Sequence, residues 1–439
     1  MADYLRKLVQ LQKAGEAVGI YSACTGNKIV LEACIKHAKE TNTVVLIEST
    51  ANQVDQYGGY TGMKPADFMA MCKDLAGKVG LPLDRMILGG DHLGPLTFAD
   101  YEEEKAMEEA SELIRQYVSA GFTKIHIDTS MKVASDDPDT RLSDATIARR
   151  GAMLAKVAED AYAEFVKTHP DAPHPVYVIG SEVPIPGGST ASTGVEEIEV
   201  TKPEDFKATV AAFEQAYKDA GLAEAWKYVM AVVVQPGLEE KDAGCVEYDR
   251  SKAVSLMASI KDFPGLVFEG HSTDYQTKYA LRQLVEDGVG VLKVGPTLTQ
   301  GFREALFALA YAEKEQFYFQ PEKQSHFMEV LDQAMVENPK NYQKHYHGSE
   351  EEIAFKRKFS FSDRCRYYYA VPEVAAAQEK LFENFKDGVA LGLLSQFMPL
   401  QYTKVRAGQL ANRPQDLIMD RVAYSIDEYL YATHQEKLG

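Results

Sequence analysis

Two imidazoles in this sequence stand where an apolar, strand-like run gives way to a loop. His92 follows Asp91 in GGDHLGP (89–95), directly after the apolar RMIL, and His271 opens the loop after GLVFEG in GLVFEGH (265–271). Two oxygen donors sit at comparable places: Glu182 ends PVYVIGSE (175–182) and Gln235 ends YVMAVVVQ (228–235). Imidazole nitrogens with carboxylate and amide oxygens make a mixed donor set. Such a set suits Zn, Mn, Ni, Co or Fe(II) in an open site, not a closed cysteine zinc. Open positions on the ion would accept two oxygens of a hydroxy-ketone, with the ion as Lewis acid. Asp91 precedes a ligand, would point differently from His92, and is the expected base for a hydroxyl proton. Asp128, ending FTKIHID (122–128), and Glu182 would serve a second face. The alternative is that these acids only orient ligands. One polar residue at a strand end is ordinary, because loops begin there; acid, imidazole and amide at successive strand ends carry the weight. His126 shares its facing with Asp128 and is read as a satisfied core histidine, with an orienting partner as the alternative.

Two loops have the chemistry to take an anion. GHSTD (270–274) offers Ser272, Thr273 and Asp274, and KVGPTLT (293–299) offers Lys293, Gly295 and Thr297. Glycine next to hydroxyls lets backbone N–H groups approach a phosphate, and barrels often use the loops after strands seven and eight for this. Ser49 and Asn52, after the second strand-like run, complete the expected substrate contacts. IPGGSTASTG (185–194) reads as a lid over the same mouth. The sequence holds no GxxxxGK[ST], and no GxGxxG follows its first strand, so neither a Walker loop nor a dinucleotide fold is supported. RCRYYYA (364–370) reads as packing or interface, although Arg364 and Arg366 would be able to reach an anion.

Such residues need a frame that brings distant strand ends together. Continuous Val/Ile-rich runs occur at 17–23, 43–49, 85–91, 122–128, 175–182, 228–235, 265–271 and 288–295. Runs of this kind belong to strands buried on both faces of a parallel sheet. Helical patterns such as KIVLEACIKHAKET (28–41), ADFMAMCKDLAGKVG (66–80) and TKYALRQLVEDG (277–288) separate them. The fold class expected is α/β, a (β/α)8 TIM barrel over residues 1–315, with an open doubly wound sheet as runner-up. Residues 316–439 lack a strand series and are expected to form a helical C-terminal extension packed on the barrel, a separate helical domain being the alternative.

The chain has 439 residues, 45% of them hydrophobic, with a net charge of −18, which argues against a basic nucleic-acid-binding face. Its five scattered cysteines form no CxxC pair and fit a reducing cytoplasm. The first residues read as an amphipathic helix and not a signal peptide. No apolar run reaches the roughly 20 residues of a membrane span. A cytoplasmic homo-oligomer is expected.

GGDHLGP, IGSEVPIPGG, VVVQPGLE, EGHSTDYQT and LKVGPTLTQGFREALFALA, with FSFSDRCRYYY and LLSQFMPLQ further on, occur here in order. Together they resemble the tagatose-bisphosphate aldolase Z-subunit family of galactitol and N-acetylgalactosamine catabolism, nearly end to end. More distantly the chain is similar to class II, metal-dependent fructose-bisphosphate aldolases, which are TIM barrels. In that resemblance Asp91-His92 matches the Asp-His motif, in which His binds zinc and Asp moves the C4-hydroxyl proton. His271 matches a later zinc histidine beside a phosphate loop. One departure is plain: Gln235-Pro236 stands where those aldolases have a zinc histidine in an HG motif, and an amide oxygen is the poorer zinc ligand. The resemblance implies a metal-dependent 4-epimerase interconverting tagatose 6-phosphate and fructose 6-phosphate, or the free ketoses, by retro-aldol and aldol steps. The metal would be held by His92, Glu182, Gln235 and His271, with Asp91 and Asp128 moving protons. The alternatives are a non-catalytic partner of a separate aldolase subunit and a true class II aldolase.

Overall fold

The computed structural model describes residues 3–181 and 198–439. The expected runs form strands: β1 Ile20–Cys24, β2 Val45–Thr50, β3 Met86–Leu93, β4 Lys124–Ile127, β5 Val176–Ile179 and β6 Val229–Val234. A short antiparallel hairpin, β7 Glu239–Lys241 with β8 Gly244–Val246, follows β6 and was not foreseen. β9 Val267–Gly270 and β10 Val289–Val294 complete the set. Eight of these strands close a barrel in the order β1-β10-β9-β6-β5-β4-β3-β2, every pair parallel. Helices cover the outside, so each strand is buried on both faces, which is why the runs are apolar without clean alternation. The fold is the (β/α)8 barrel.

Inside the barrel the side chains lie in layers. Ile20, Leu46, Val178, Val267 and Val291 form an apolar floor, closed from below by Leu5, Leu8 and Val9 of the N-terminal helix and by Leu438. Two residues further along the same strands the interior becomes ionic. Lys124 Nζ lies 2.8 Å from Glu48 Oε1 and 2.7 Å from Glu269 Oε2. Lys293 Nζ lies 2.9 Å from Glu48 Oε2 and 3.1 Å from Asp91 Oδ1. Gly89 leaves room for this pairing, since a Cβ there would sit 2.9 Å from Glu48 Cγ and 3.1 Å from Lys124 Cβ. Past residue 316 the described chain is helical. Its last long helix, Pro414–Thr433, packs on the helices Lys28–Glu40, Lys278–Asp287 and Pro296–Gln316. Tyr429 from that helix donates to the carbonyl of Thr273 at 3.0 Å.

Candidate active site

The geometry of GGDHLGP comes from a bulge. β3 pairs with β4 through Gly90↔Ile125 and then Leu93↔Ile127, so β3 carries one residue more than its partner between these points. Neighbours on a regular strand point to opposite faces; a bulge breaks that rule and re-aims side chains. His92 takes the left-handed conformation, φ 50°, at a cost of about 1–3 kcal/mol for such a residue. Asp91 and His92 therefore both face the interior, His92 Nε2 lying 3.8 Å from Asp91 Oδ2. This corrects the expectation that the two would point differently. Gly94 closes the turn against β4, where a Cβ would lie 1.7 Å from the Asp128 carbonyl oxygen.

Three histidines meet above the ionic layer. The ring centroids of His92 and His271 are 4.9 Å apart, and His126 is 5.2 Å from each. Asp91, His126, Glu269 and His271, all buried, offer ligand atoms that lie within 4.8 Å of one another. His126 Nδ1 is 2.8 Å from Asp91 Oδ1, and its Nε2 is buried without a hydrogen-bond partner. His271 Nε2 is 3.0 Å from Glu269 Oε1. Burial pushes the His271 imidazole down to about 4, against the opposing pull of Glu269. It is neutral near pH 7, as a metal ligand must be.

The charge count also calls for a cation. Glu48, Asp91, Asp128 and Glu269 are buried carboxylates; against these four stand the buried ammonium groups Lys124 and Lys293 and the His92 imidazole beside Asp91 and Asp128. Burying uncompensated charge is expensive. A divalent ion at the histidines would balance the acids. The residues present fit such an ion.

His92 is held differently from the other two imidazoles. Its Nδ1 is 2.8 Å from Asp128 Oδ2. Burial favours neutral His92, but Asp91 and Asp128 outweigh it and raise the imidazole above its ordinary value. Burial alone would raise Asp128; its bond to His92 is the largest opposing pull and, with Ser130, brings it down to about 2. Ser130 donates to Asp128 Oδ1 from its backbone N–H at 3.0 Å and from its hydroxyl at 2.7 Å. Asp128 therefore orients His92 and is not among the residues that line the cavity, unlike the expectation that it would reprotonate substrate directly.

The cavity above the histidines is lined by Asp91, His92, His271, Ser272, Asp274, Lys293 and Gly295, with Asn52 at its exposed rim. Other expected contacts are committed elsewhere. Ser49 Oγ is 2.9 Å from Tyr117 Oη in the core. Thr273 donates to the Lys293 carbonyl at 2.7 Å, and Thr297 Oγ1 accepts from Tyr275 N–H at 2.9 Å. Gln235 Oε1 accepts from the N–H groups of Gly237 and Leu238 at 2.8 and 3.0 Å, so its amide oxygen shapes its own turn and does not join the histidines. The backbone cradle expected for phosphate is filled by the chain itself: Asp274 Oδ1 accepts from Gly295 N–H at 3.0 Å and Thr297 N–H at 2.7 Å. Glu182 and the loop 185–194 lie outside the described residues.

Several lining residues were not among the expected ones: Cys24, Gln53, Tyr60, Glu240 and Tyr367; Arg366, expected to be able to reach an anion, lines the cavity too. Burial pushes the Glu240 carboxyl up to about 8, with Asp274 adding to the rise, and its Oε2 has no partner. Burial likewise raises Asp274, to about 6. Arg366 and Tyr367 come from the RCRYYYA segment, which thus contributes to the cavity wall as well as to packing. Lys124, His126 and Glu269 carried one usable signal: each sits two residues, or four, before a strand-end candidate, the spacing of one strand face.

A family model described as "D-tagatose-1,6-bisphosphate aldolase subunit GatZ/KbaZ-like" matches residues 5–434. A crystal structure from Sinorhizobium meliloti, described as a probable tagatose 6-phosphate kinase, is 41% identical over 94% of this chain and 100% of its own, with a TM-score of 0.84. A fructuronate-tagaturonate epimerase from Cohnella laeviribosi is 11% identical over 94% of this chain and 82% of its own, with a TM-score of 0.44. A fructose-bisphosphate aldolase from Campylobacter jejuni is 16% identical over 87% and 93%, also with a TM-score of 0.44. Similarity as low as that of the last two says nothing about chemistry. No described helix is long and apolar enough to cross a membrane.

Proposed function

The chain belongs to the GatZ/KbaZ-like family, and from that premise we propose that it is a divalent-metal-dependent ketose 4-epimerase acting on tagatose 6-phosphate and fructose 6-phosphate. The observation that carries this reading is the buried convergence of Asp91, His126, Glu269 and His271 with an unpaired His126 Nε2. These four side chains would hold the ion. When bound, the ion supplies Lewis acidity at the ketose oxygens. His92, fixed by Asp128 and lining the cavity, moves the C4-hydroxyl proton, with Asp91 and Asp128 raising its imidazole above the ordinary value. The C3–C4 bond breaks, the aldehyde fragment turns, and re-formation of the bond inverts C4. The new oxygen lies on the other side and needs a second proton donor. Glu240, which holds its proton up to about 8 and lines the same cavity, takes the place first given to Asp128.

One observation favours the reverse assignment, in which His92 binds the ion and Asp91 carries the proton: His92 Nε2 lies 3.8 Å from Asp91 Oδ2 while its Nδ1 is held by Asp128. Metal content of H92A separates the two, being retained in the first and lost in the second. The accessory role in the family's description predicts a pure chain that turns over no ketose phosphate and co-purifies with an aldolase. Phosphoryl transfer, the activity in the description of the Sinorhizobium relative, finds no GxxxxGK[ST] cradle here. The deciding experiment incubates metal-loaded pure protein with fructose, fructose 6-phosphate and tagatose 6-phosphate and resolves products by NMR. C4-epimerised product that disappears with chelator supports the proposal; free triose phosphate indicates an aldolase; no product refutes both.

A further inference from the structure

The cavity has two distinct ends. At one end are the histidines and Asp91; at the other the chain past residue 360 folds over the mouth and presents Arg366, Tyr367 and, from the loop after β2, Tyr60. Arg366 is half-buried and opens onto the cavity. Its Nη1 donates to the carbonyls of Ser362 and, at 3.0 Å, Asp363, and its Nη2 to Tyr367 Oη at 2.9 Å, with the guanidinium 4.5 Å from the Tyr367 ring centroid. Among the described residues no carboxylate forms an ion pair with it. Tyr60 stands edge-on to Tyr367 at 4.8 Å and narrows the same end.

A guanidinium held out of bulk water without an acid partner is costly unless a ligand supplies the charge. The nearby acids do not supply it. Asp363, the carboxylate whose charge reaches Arg366, is paired with Arg303 at 3.2 Å and accepts from the Thr299 hydroxyl; Asp274 is engaged by the Gly295 and Thr297 N–H groups, and Glu240 carries its proton near neutrality. That same Asp274 carboxylate closes the start of the helix Pro296–Gln316 to an incoming anion, which removes the usual barrel phosphate cradle from contention.

We propose that Arg366 is the specificity-determining residue of this site and binds the phosphate monoester of the ketose substrate, in place of the backbone cradle that Asp274 fills. The proposal rests on the epimerase reading above but is tested separately from it. Arginine matches a phosphate bidentately through its planar fork, whereas lysine offers only a point charge. In this arrangement the C-terminal extension is part of the active site: the barrel supplies the reacting end and the extension the anchoring end.

The test compares wild-type protein with R366Q and R366K on fructose 6-phosphate, free fructose and a hexuronate. R366Q is expected to lower kcat/KM for fructose 6-phosphate about 100-fold, mainly through KM, as loss of a charge-assisted bidentate contact does. Free fructose should change less than about 3-fold, because it lacks the group that Arg366 holds. R366K should fall between wild type and R366Q on the phosphate, and bound metal should be equal in all three proteins. Equal losses on phosphorylated and free ketose would overturn the proposal, as would an unchanged phosphate KM or a hexuronate preferred over the ketose phosphate. Inorganic phosphate titrated against wild-type and R366Q protein, followed by calorimetry, gives an answer independent of turnover. Wild-type binding lost in R366Q supports the anion site even if no ketose is epimerised; identical binding refutes it.

Discussion

The floor and the mouth of this barrel are made by the same strands, two residues apart, yet they obey opposite rules. Leu46, Val267 and Val291 belong to the floor, and Glu48, Glu269 and Lys293 lie directly above them. The floor is stabilised by non-directional burial, which tolerates any well-packed apolar set of the right volume. The mouth depends on direction: each acid must find its lysine or imidazole, because an unpaired buried charge costs several kcal/mol. Structural capacity therefore resides in the lower layer and chemical capacity in the upper one, and substitutions should separate the two.

The largest effect is expected at the mouth. On the proposed function, H271A and H126A should each lose bound metal, read by elemental analysis, and lower the proposed epimerase turnover by about three orders of magnitude, the several kcal/mol that Lewis-acid assistance supplies. A fully active, metal-replete H126A would break the contrast. In the ionic layer, Lys124→Met leaves Glu48 and Glu269 short of a partner and should cost about 3–5 kcal/mol in urea unfolding. At the floor, Leu46→Ala should cost about 2–5 kcal/mol of stability while kcat and metal content at 25 °C stay within about 2-fold of wild type. Asp128→Asn should retain the fold and lower kcat about 10–100-fold, as loss of an orienting carboxylate does.

The smallest effect is in pH. Glu240 and Asp274 have their carboxyls raised in the folded chain, to about 8 and about 6. Between the ordinary carboxyl range and about 8 the native state thus holds more protons than the unfolded one, and stability falls as pH rises through that window. E240Q should flatten the upper part of the fall, between about 6 and 8, by at most about 1.4 kcal/mol per unit. Urea midpoints at a series of pH values measure it; a slope identical to wild type would show that Glu240 titrates normally.

Much of the frame was legible in the sequence because strands buried on both faces must be apolar along their whole length, and each of the eight runs expected is a barrel strand. His92 and His271 were legible as neighbours for the same reason: parallel strands of one barrel end at one mouth. His126 and Glu269 were not, because within a short run a charged residue reads equally as an interruption or as a lining position. Gln235 was placed at the right strand end but with its amide oxygen turned to its own loop, a matter of one torsion that no pattern encodes.

The sequence by itself determined the barrel and the strand-end polar set, because these follow from periodicity and burial, which are local. Tertiary structure alone decided which imidazole nitrogens face inward, that Asp128 serves His92, that Asp274 fills the anion cradle and that Arg366 reaches the mouth. Each of these depends on a bulge, a ring torsion or a contact between segments far apart in the chain, and the energy that selects it exists only once those segments have met.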